Sequence, residues 1–201
     1  FSLQMNKIKA FWDLTRLDHG LMLVLGVFIG SVIAFQGFPS ELIKLSLAFI
    51  TAIFIEMSSF ALNDYFDYKI DKKNKRLDRP LVRGDIKPKT AMIMSVIFFP
   101  IGVLASYFVN LSCFIIAIIT GLLAIIYDIK LKKIKLIGNF YIAYTMAVPF
   151  LFGGVVFSSN IPFIIWILAF IAFLSGVGRE IMKDIMDISG DRLEKVRSLP
   201  M

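Results

Sequence analysis

The sequence predicts an all-α protein, a multi-span transmembrane helical bundle. Three observations carry that expectation. Hydrophobic residues make up 58% of the chain and charged residues 18%, against roughly 45–50% and 25% in soluble domains. Apolar runs of membrane-crossing length recur, and one crossing needs about 20 residues. Basic residues are also sorted: of 22 Lys and Arg, all but Lys44 fall before the first run, in Lys69–Lys89, in Lys130–Lys135 or after Val177.

The elements follow in chain order. Asn6–Leu17 carries Ile8, Phe11 and Trp12 at helical spacing, with Thr15 interrupting the stripe, and is expected to lie along the membrane surface. The opening residues have no uncharged apolar region and do not read as a signal peptide. Six spans are expected, at Gly20–Phe35, Leu42–Leu62, Ala91–Val109, Leu111–Tyr127, Leu136–Phe157 and Ile161–Val177. All are helices, because a lone strand in lipid leaves its backbone groups unpaired. The connections QGFPSE, VN and SSN contain no Lys or Arg. The positive-inside rule then gives a multi-pass protein of the cell membrane with both termini and both long charged connections in the cytoplasm. This sorting accounts for the net charge of +7 without a nucleic-acid partner. Cys113, the single cysteine, lies in an apolar run and excludes an internal disulfide. In the fifth span Pro149 predicts a kink and Asn139 a polar lining.

The acids are sorted as the bases are, although the positive-inside rule asks nothing of them. Of 15 Asp and Glu, only Glu41 and Glu56 lie away from the cytoplasmic side. Spans two and six each run into an acid-rich segment, NDYFDYKID and KDIMDISGD, and paired segments of this kind can build one site between them. If the second helix continues, Asn63, Asp67 and Asp71 form a stripe while Asp64 points elsewhere. Asp184, Asp187 and Asp191 form a comparable stripe on the other segment. Like charges at i, i+4 disfavour a helix by only about 0.2–0.5 kcal/mol, so a solvated acidic face is the competing reading; divalent cations would offset the repulsion.

The candidate ligands are all oxygen donors, which favours Mg²⁺ or Ca²⁺ over zinc. The segments lack a glycine-turned Ca²⁺ loop, and Mg²⁺ takes one or two carboxylates together with phosphate oxygens. Lys72, Lys75, Arg76, Arg79 and Arg83 follow the first stripe, and Arg179, Lys183 and Arg192 surround the second. Carboxylates for metal beside cations for phosphate describe a diphosphate site, opening from the bilayer onto a lipid partner.

NDYFDYKID resembles the N-D-x-x-D-x-x-x-D motif of the UbiA superfamily of intramembrane prenyltransferases, and DRPLVRG is similar to the segment that follows it there. DIMDISGD resembles the second aspartate motif, YDIKLKK the tyrosine–lysine element, and TRLDHG the opening arginine segment. The resemblance implies that Asn63, Asp67, Asp71, Asp184, Asp187 and Asp191 hold Mg²⁺ and the diphosphate. It adds Arg16, Arg79 and Lys130 or Lys132 as anion clamps and Tyr127 as a catalytic aromatic. Asp67, Asp71, Asp187 and Asp191 would act directly in catalysis, with Asp64, Arg83, Arg179, Lys183 and Asn139 on the substrate. GREIMKDIMDISGD is most similar to the archaeal branch that makes digeranylgeranylglyceryl phosphate. That branch implies transfer from geranylgeranyl diphosphate to geranylgeranylglyceryl phosphate; RPLVRG, where RPIPSG is commoner, leaves an aromatic acceptor of quinone synthesis as the alternative. The family fold implies nine spans, so residues 1–201 are expected to form a single domain short of its last three helices.

The reaction so implied breaks a C–O bond at an allylic carbon, with metal and basic side chains stabilising the departing diphosphate. Aromatic faces can stabilise the allylic cation by about 0.5–2 kcal/mol each; Phe60, Tyr65, Phe66, Phe140, Tyr141 and Tyr144 are candidates. Glu56 lies seven residues before Asn63, on the same face and about 10 Å deeper. An ionisable group inside a span usually faces the bundle interior, where Glu56 could position an acceptor or take its proton; the alternative is a packed glutamic acid bonded to a neighbouring helix. A transporter, the reading from another class, expects its ionisable groups near mid-membrane, whereas here they crowd one face. A CDP-alcohol phosphotransferase would carry a D-G-x-x-A-R element, which is absent.

Overall fold

The computed structural model describes residues 2–194, with side chains described for 7–132 and 134–186. The chain folds as α1 (Ser2–Thr15), α2 (Leu17–Phe35), α3 (Leu42–Lys73), α4 (Pro80–Arg83), α5 (Pro88–Val109), α6 (Leu111–Ile129), a 3-10 turn at Leu131–Lys133, α7 (Lys135–Phe157) and α8 (Phe163–Glu194). Six of these helices are long and apolar enough to cross a membrane, and they carry the six expected spans. The described residues contain no strand.

Two boundaries differ from the sequence reading, for one reason. α3 runs to Lys73 instead of stopping near Leu62, and α8 runs to Glu194 instead of Val177, each a helix of 32 residues. Hydropathy ends where the lipid ends, but backbone hydrogen bonding does not, and no Pro or Gly interrupts α3 beyond Leu62. At 1.5 Å per residue each helix is about 48 Å long, well beyond the ~30 Å hydrocarbon core. α8 begins at Phe163, after Pro162.

α1 also differs. Ala10, Leu14 and Thr15 are buried among its described residues, and Leu14 packs in one cluster with Ala61 of α3, Leu81 of α4 and Ala91 of α5. Phe11 meets Phe98 edge-on, while Ile8 and Trp12 remain exposed. The expected apolar stripe is therefore divided between the protein and its surroundings. Between α1 and α2 the chain turns at Arg16, whose φ of 46° is left-handed, a conformation costing about 1–2 kcal/mol for a residue with a Cβ.

α5 and α6 are joined by Asn110 alone, which works in both directions. Its side-chain oxygen accepts from the Cys113 N–H at 2.8 Å, capping α6, and its amide donates to the Val155 carbonyl at 2.7 Å, holding α7. α2 and α7 approach through small residues: a Cβ added at Gly153 would lie 2.8 Å from the Val27 carbonyl carbon, and Ser31 donates to the Gly153 carbonyl at 3.2 Å. Without a hydrophobic drive between helices in lipid, such close backbone contact is what holds spans together. α7 continues as one helix through Pro149.

Candidate active site

The last turns of α3 point their acids in two directions. Asp64 is 2% exposed; its Oδ1 accepts from Arg16 Nη2 at 3.2 Å and from Arg79 Nη1 at 3.0 Å. The Arg16 guanidinium also lies 4.1 Å above the Phe60 ring, so two contacts hold the strained residue in place. Arg79 continues to Asp71, its Nε 3.7 Å from the carboxylate, and Arg76 stands 4.0 Å from the same group. Asp64 thus leaves the Asn63–Asp67–Asp71 stripe, as its spacing predicts, and gathers two arginines to α3.

The stripe itself faces the connection between α6 and α7. Asn63 Nδ2 donates to Asp128 Oδ1 at 2.8 Å, and Lys132 pairs with Asp67 while standing 3.8 Å from Asp128. On the other side of that connection, Lys135 lies 3.3 Å from Asp184 Oδ1 and Asn139 Nδ2 donates to Asp184 Oδ2 at 2.8 Å. A stretch of a few residues therefore places one lysine on each acidic helix, and the segments that the sequence pairs as remote repeats stand at one end of the bundle. α8 is helical through Glu194, which keeps Asp184, Asp187 and Asp191 on one face; the side chains of Asp187 and Asp191 lie outside the described residues.

Several residues have other tasks than the sequence assigns. Arg83 bonds Asp13 and Asp85, both at 2.6 Å, and the carbonyls of Leu77 and Asp78; it fastens α4 to α1 instead of facing the stripe. Arg179 and Lys183 both bond Glu180, at 2.9 and 3.0 Å, a buried acid the sequence does not single out. Asn139 supports Asp184 instead of lining an open polar wall. Lys130 is exposed, which leaves Lys132 as the lysine on the stripe. Asp128, 4% exposed, is also missed. Its signal is an acid beside Tyr127, at the last turn of a span. In the loop after α3, the hydrogen bonds from Arg76 to Asp78, at 3.0 and 2.7 Å, hold the Asp78 carboxyl below its ordinary pKa.

The donor chemistry suits a hard cation. Every candidate ligand offers oxygen, and Asp64 Oδ2 is buried without a hydrogen-bond partner. Among the described residues no three Asp, Glu, His or Cys side chains converge on one point: Asp67, Asp71 and Asp184 are each held by a cation of the protein.

Below the charged end Tyr127 stacks on Tyr141, centroids 4.6 Å apart and 25° between planes, and Tyr144, next to Tyr141, exchanges a 2.7 Å hydrogen bond with Thr120. These rings lead to a cavity of about 80 Å³ enclosed by α2, α3, α6 and α7, with Glu56, Ser59, Thr120 and Tyr141 among its lining residues.

Residues 23–201 match the model of the UbiA prenyltransferase family. The digeranylgeranylglyceryl phosphate synthase of Archaeoglobus fulgidus is 50% identical over 192 residues, covering 96% of this chain and 65% of its own length. The synthase of the same name from Methanocaldococcus jannaschii is 39% identical over 197 residues, covering 98% of this chain and 68% of its own. This chain therefore spans about two thirds of the length of these relatives. A solved structure of digeranylgeranylglyceryl phosphate synthase superposes with a TM-score of 0.85 at 39% identity, over 96% of this chain and 68% of that one. A UbiA homologue from Archaeoglobus fulgidus, bound to GPP and Mg²⁺, shares the fold at a TM-score of 0.74 and 18% identity, over 93% and 66%.

Proposed function

The chain belongs to the UbiA prenyltransferase family, and from that premise we propose that it moves a polyprenyl group from a prenyl diphosphate to a lipid acceptor. The donor is geranylgeranyl diphosphate and the acceptor geranylgeranylglyceryl phosphate, as the name shared by its relatives supports. The observation that carries this reading is the single basic connection set between two acidic helix ends: Lys132 on Asp67 and Lys135 on Asp184. Cations and carboxylates so interleaved can hold the oxygens and the charge of a diphosphate together.

Asn63, Asp67, Asp71 and Asp184, joined by Asp187 and Asp191, would hold Mg²⁺ against the diphosphate oxygens. When bound, Mg²⁺ stabilises the negative charge that develops on the leaving diphosphate. Lys132 adds positive charge at the same place, and Arg16 and Arg79, locked by Asp64, stand beside it on the loop side. Asp128 holds the Asn63 amide through its Nδ2, which leaves the carbonyl oxygen as the atom to offer a cation. The Tyr127–Tyr141 stack offers ring faces to an allylic cation just below the charged end and keeps water from it. The active end faces the cytoplasm, in keeping with the sorting of Lys and Arg.

The full-length protein in detergent, given geranylgeranyl diphosphate, Mg²⁺ and geranylgeranylglyceryl phosphate, is expected to release diphosphate and form the diether. Product with 4-hydroxybenzoate instead would move the acceptor to the aromatic class. No diphosphate release with either acceptor would overturn the enzyme reading.

A further inference from the structure

The cavity beneath the tyrosine stack contains one charge-bearing side chain, Glu56. The Ser and Thr hydroxyls that share the cavity wall are already engaged. Thr51 donates to the Leu47 carbonyl at 2.9 Å, Ser59 to the Ile55 carbonyl at 2.8 Å and Thr145 to the Ile142 carbonyl at 2.8 Å, while Thr120 is paired with Tyr144. Among the described residues no hydrogen bond or ion pair reaches the Glu56 carboxyl. The packed-glutamate alternative raised by the sequence required a bond to a neighbouring helix, and among the described residues none is present. A carboxyl in hydrocarbon is costly and persists where it has something polar to meet; here the opening left to it is the cavity. Arg16 is the cation whose field reaches it, and Tyr141, from α7, is the titratable group that faces it.

Position adds a second argument. Glu56 stands two turns from Asn63 on the same face of α3, about 10 Å along the axis. A diphosphate held at the Asn63–Asp67 level directs its prenyl carbon down toward the stacked tyrosines, and a nucleophile attacking that carbon opposite the leaving group approaches from the cavity side. Alkylating a hydroxyl releases a proton among mostly apolar side chains, so a proton acceptor is needed on that side. The acids of the charged end lie on the side of the leaving group.

We propose that Glu56 takes the proton from the acceptor hydroxyl, with only the reacting end of the acceptor reaching the cavity. This rests on the transferase reading given above. In the step, the acceptor oxygen forms its bond to the allylic carbon, the carbon–oxygen bond to diphosphate breaks with its electron pair leaving on the diphosphate, and the hydroxyl proton passes to the Glu56 carboxylate, which becomes the neutral acid. The group that meets Glu56 is therefore the acceptor hydroxyl, with the phosphate on the glycerol backbone beside it turned toward the charged end.

The test uses the full-length protein in nanodiscs with three variants at one position, and measures transfer beside binding of the unreactive geranylgeranyl thiolodiphosphate. Glu56→Gln keeps shape and hydrogen bonding but cannot take the proton; it is expected to lose about 100-fold or more in kcat while binding the thiolodiphosphate within about twofold of the parent. Glu56→Asp should recover part of the loss. Glu56→Ala, which leaves a vacancy for a small carboxylate, should be rescued by added formate, an effect that a role in packing alone does not give. Transfer by Glu56→Gln within about threefold of the parent, or a Glu56→Ala variant indifferent to formate, would overturn the assignment while the transferase reading stands. A parent protein that transfers nothing overturns both.

Discussion

Removing the carboxylate of Asp64 tests the electrostatic frame of the charged end. In Asp64→Ala, Arg16 and Arg79 lose the acceptor they share at 3.2 and 3.0 Å. Breaking a buried ion pair by deleting one partner costs about 3–5 kcal/mol, because the remaining charge is left uncompensated. Here the two guanidiniums keep 23% and 18% of their surface, so water can take up part of that charge and the lower end, about 3 kcal/mol, applies. At about 2–4 °C per kcal/mol for a chain of this size, the midpoint of thermal unfolding, followed by tryptophan fluorescence in detergent, should fall by about 6–12 °C. The strained turn at Arg16 loses one of its two anchors in the same step, so the mobility of α1 rises as well. Replacing Arg79 by Met in the Asp64→Ala background should then cost at least 1 kcal/mol less than Arg79→Met alone, as expected for residues in contact. A midpoint shift below 2 °C, or strictly additive effects in the double variant, would refute the reasoning that Asp64 is the hub of this end.

Three further outcomes follow from the geometry. Asp67→Ala and Asp187→Ala should each abolish Mg²⁺-dependent transfer while leaving the unfolding midpoint within a few degrees; near-full activity in either would remove that stripe from the site. Gly153→Val should drive its side chain into the α2 backbone at Val27 and destabilise the bundle by about 1–3 kcal/mol, read as a lower midpoint, and an unchanged midpoint would show that α2 and α7 can part freely. Asp78 is held below its ordinary value by Arg76, so its contribution is present above the unfolded pKa of about 3.9 and is lost as pH falls through the lower folded value. As an exposed pair it is worth about 0.2–1 kcal/mol, so Asp78→Asn should lower the midpoint by about 0.4–4 °C at pH 6 and by progressively less as the pH falls below about 3.9; a loss that does not shrink on acidification would contradict the assigned sign.

The spans were legible because lipid accepts few alternatives: an apolar run of sufficient length has to be a helix. The ends of α3 and α8 were not, since the signal marking each span is hydropathy, while the helix is sustained by backbone bonding through Asp67 and Asp71 that hydropathy does not register. At the site, residue type was readable and partnership was not. The spacing of Asn63, Asp67 and Asp71 sets them on one face and Asp64 off it, and the structure agrees. That Asp64 would meet Arg16 and Arg79, that Lys132 would choose Asp67, or that Asn63 would give its amide to Asp128 depends on the rotation of α3 against its neighbours, which periodicity leaves open. Arg83 shows the same limit, since its sequence neighbourhood is that of Arg79 but its partners belong to α1.

The unusual length of α3 and α8 bears on how an amphiphile would reach this protein. Because the last three turns of α3 rise some 16 Å past Leu62, where the apolar run ends, the ionic groups would stand near the phospholipid heads instead of within the oil. A long-chain ester of pyrophosphoric acid drifting in the adjoining monolayer could be captured in the posture it already has, its ionised end level with the lysines and its tail beside the bundle. Docking would then be a sideways step at constant depth, with no need to pull a hydrated anion through hydrocarbon, and the barrier to entry would come from the lateral gap between helices.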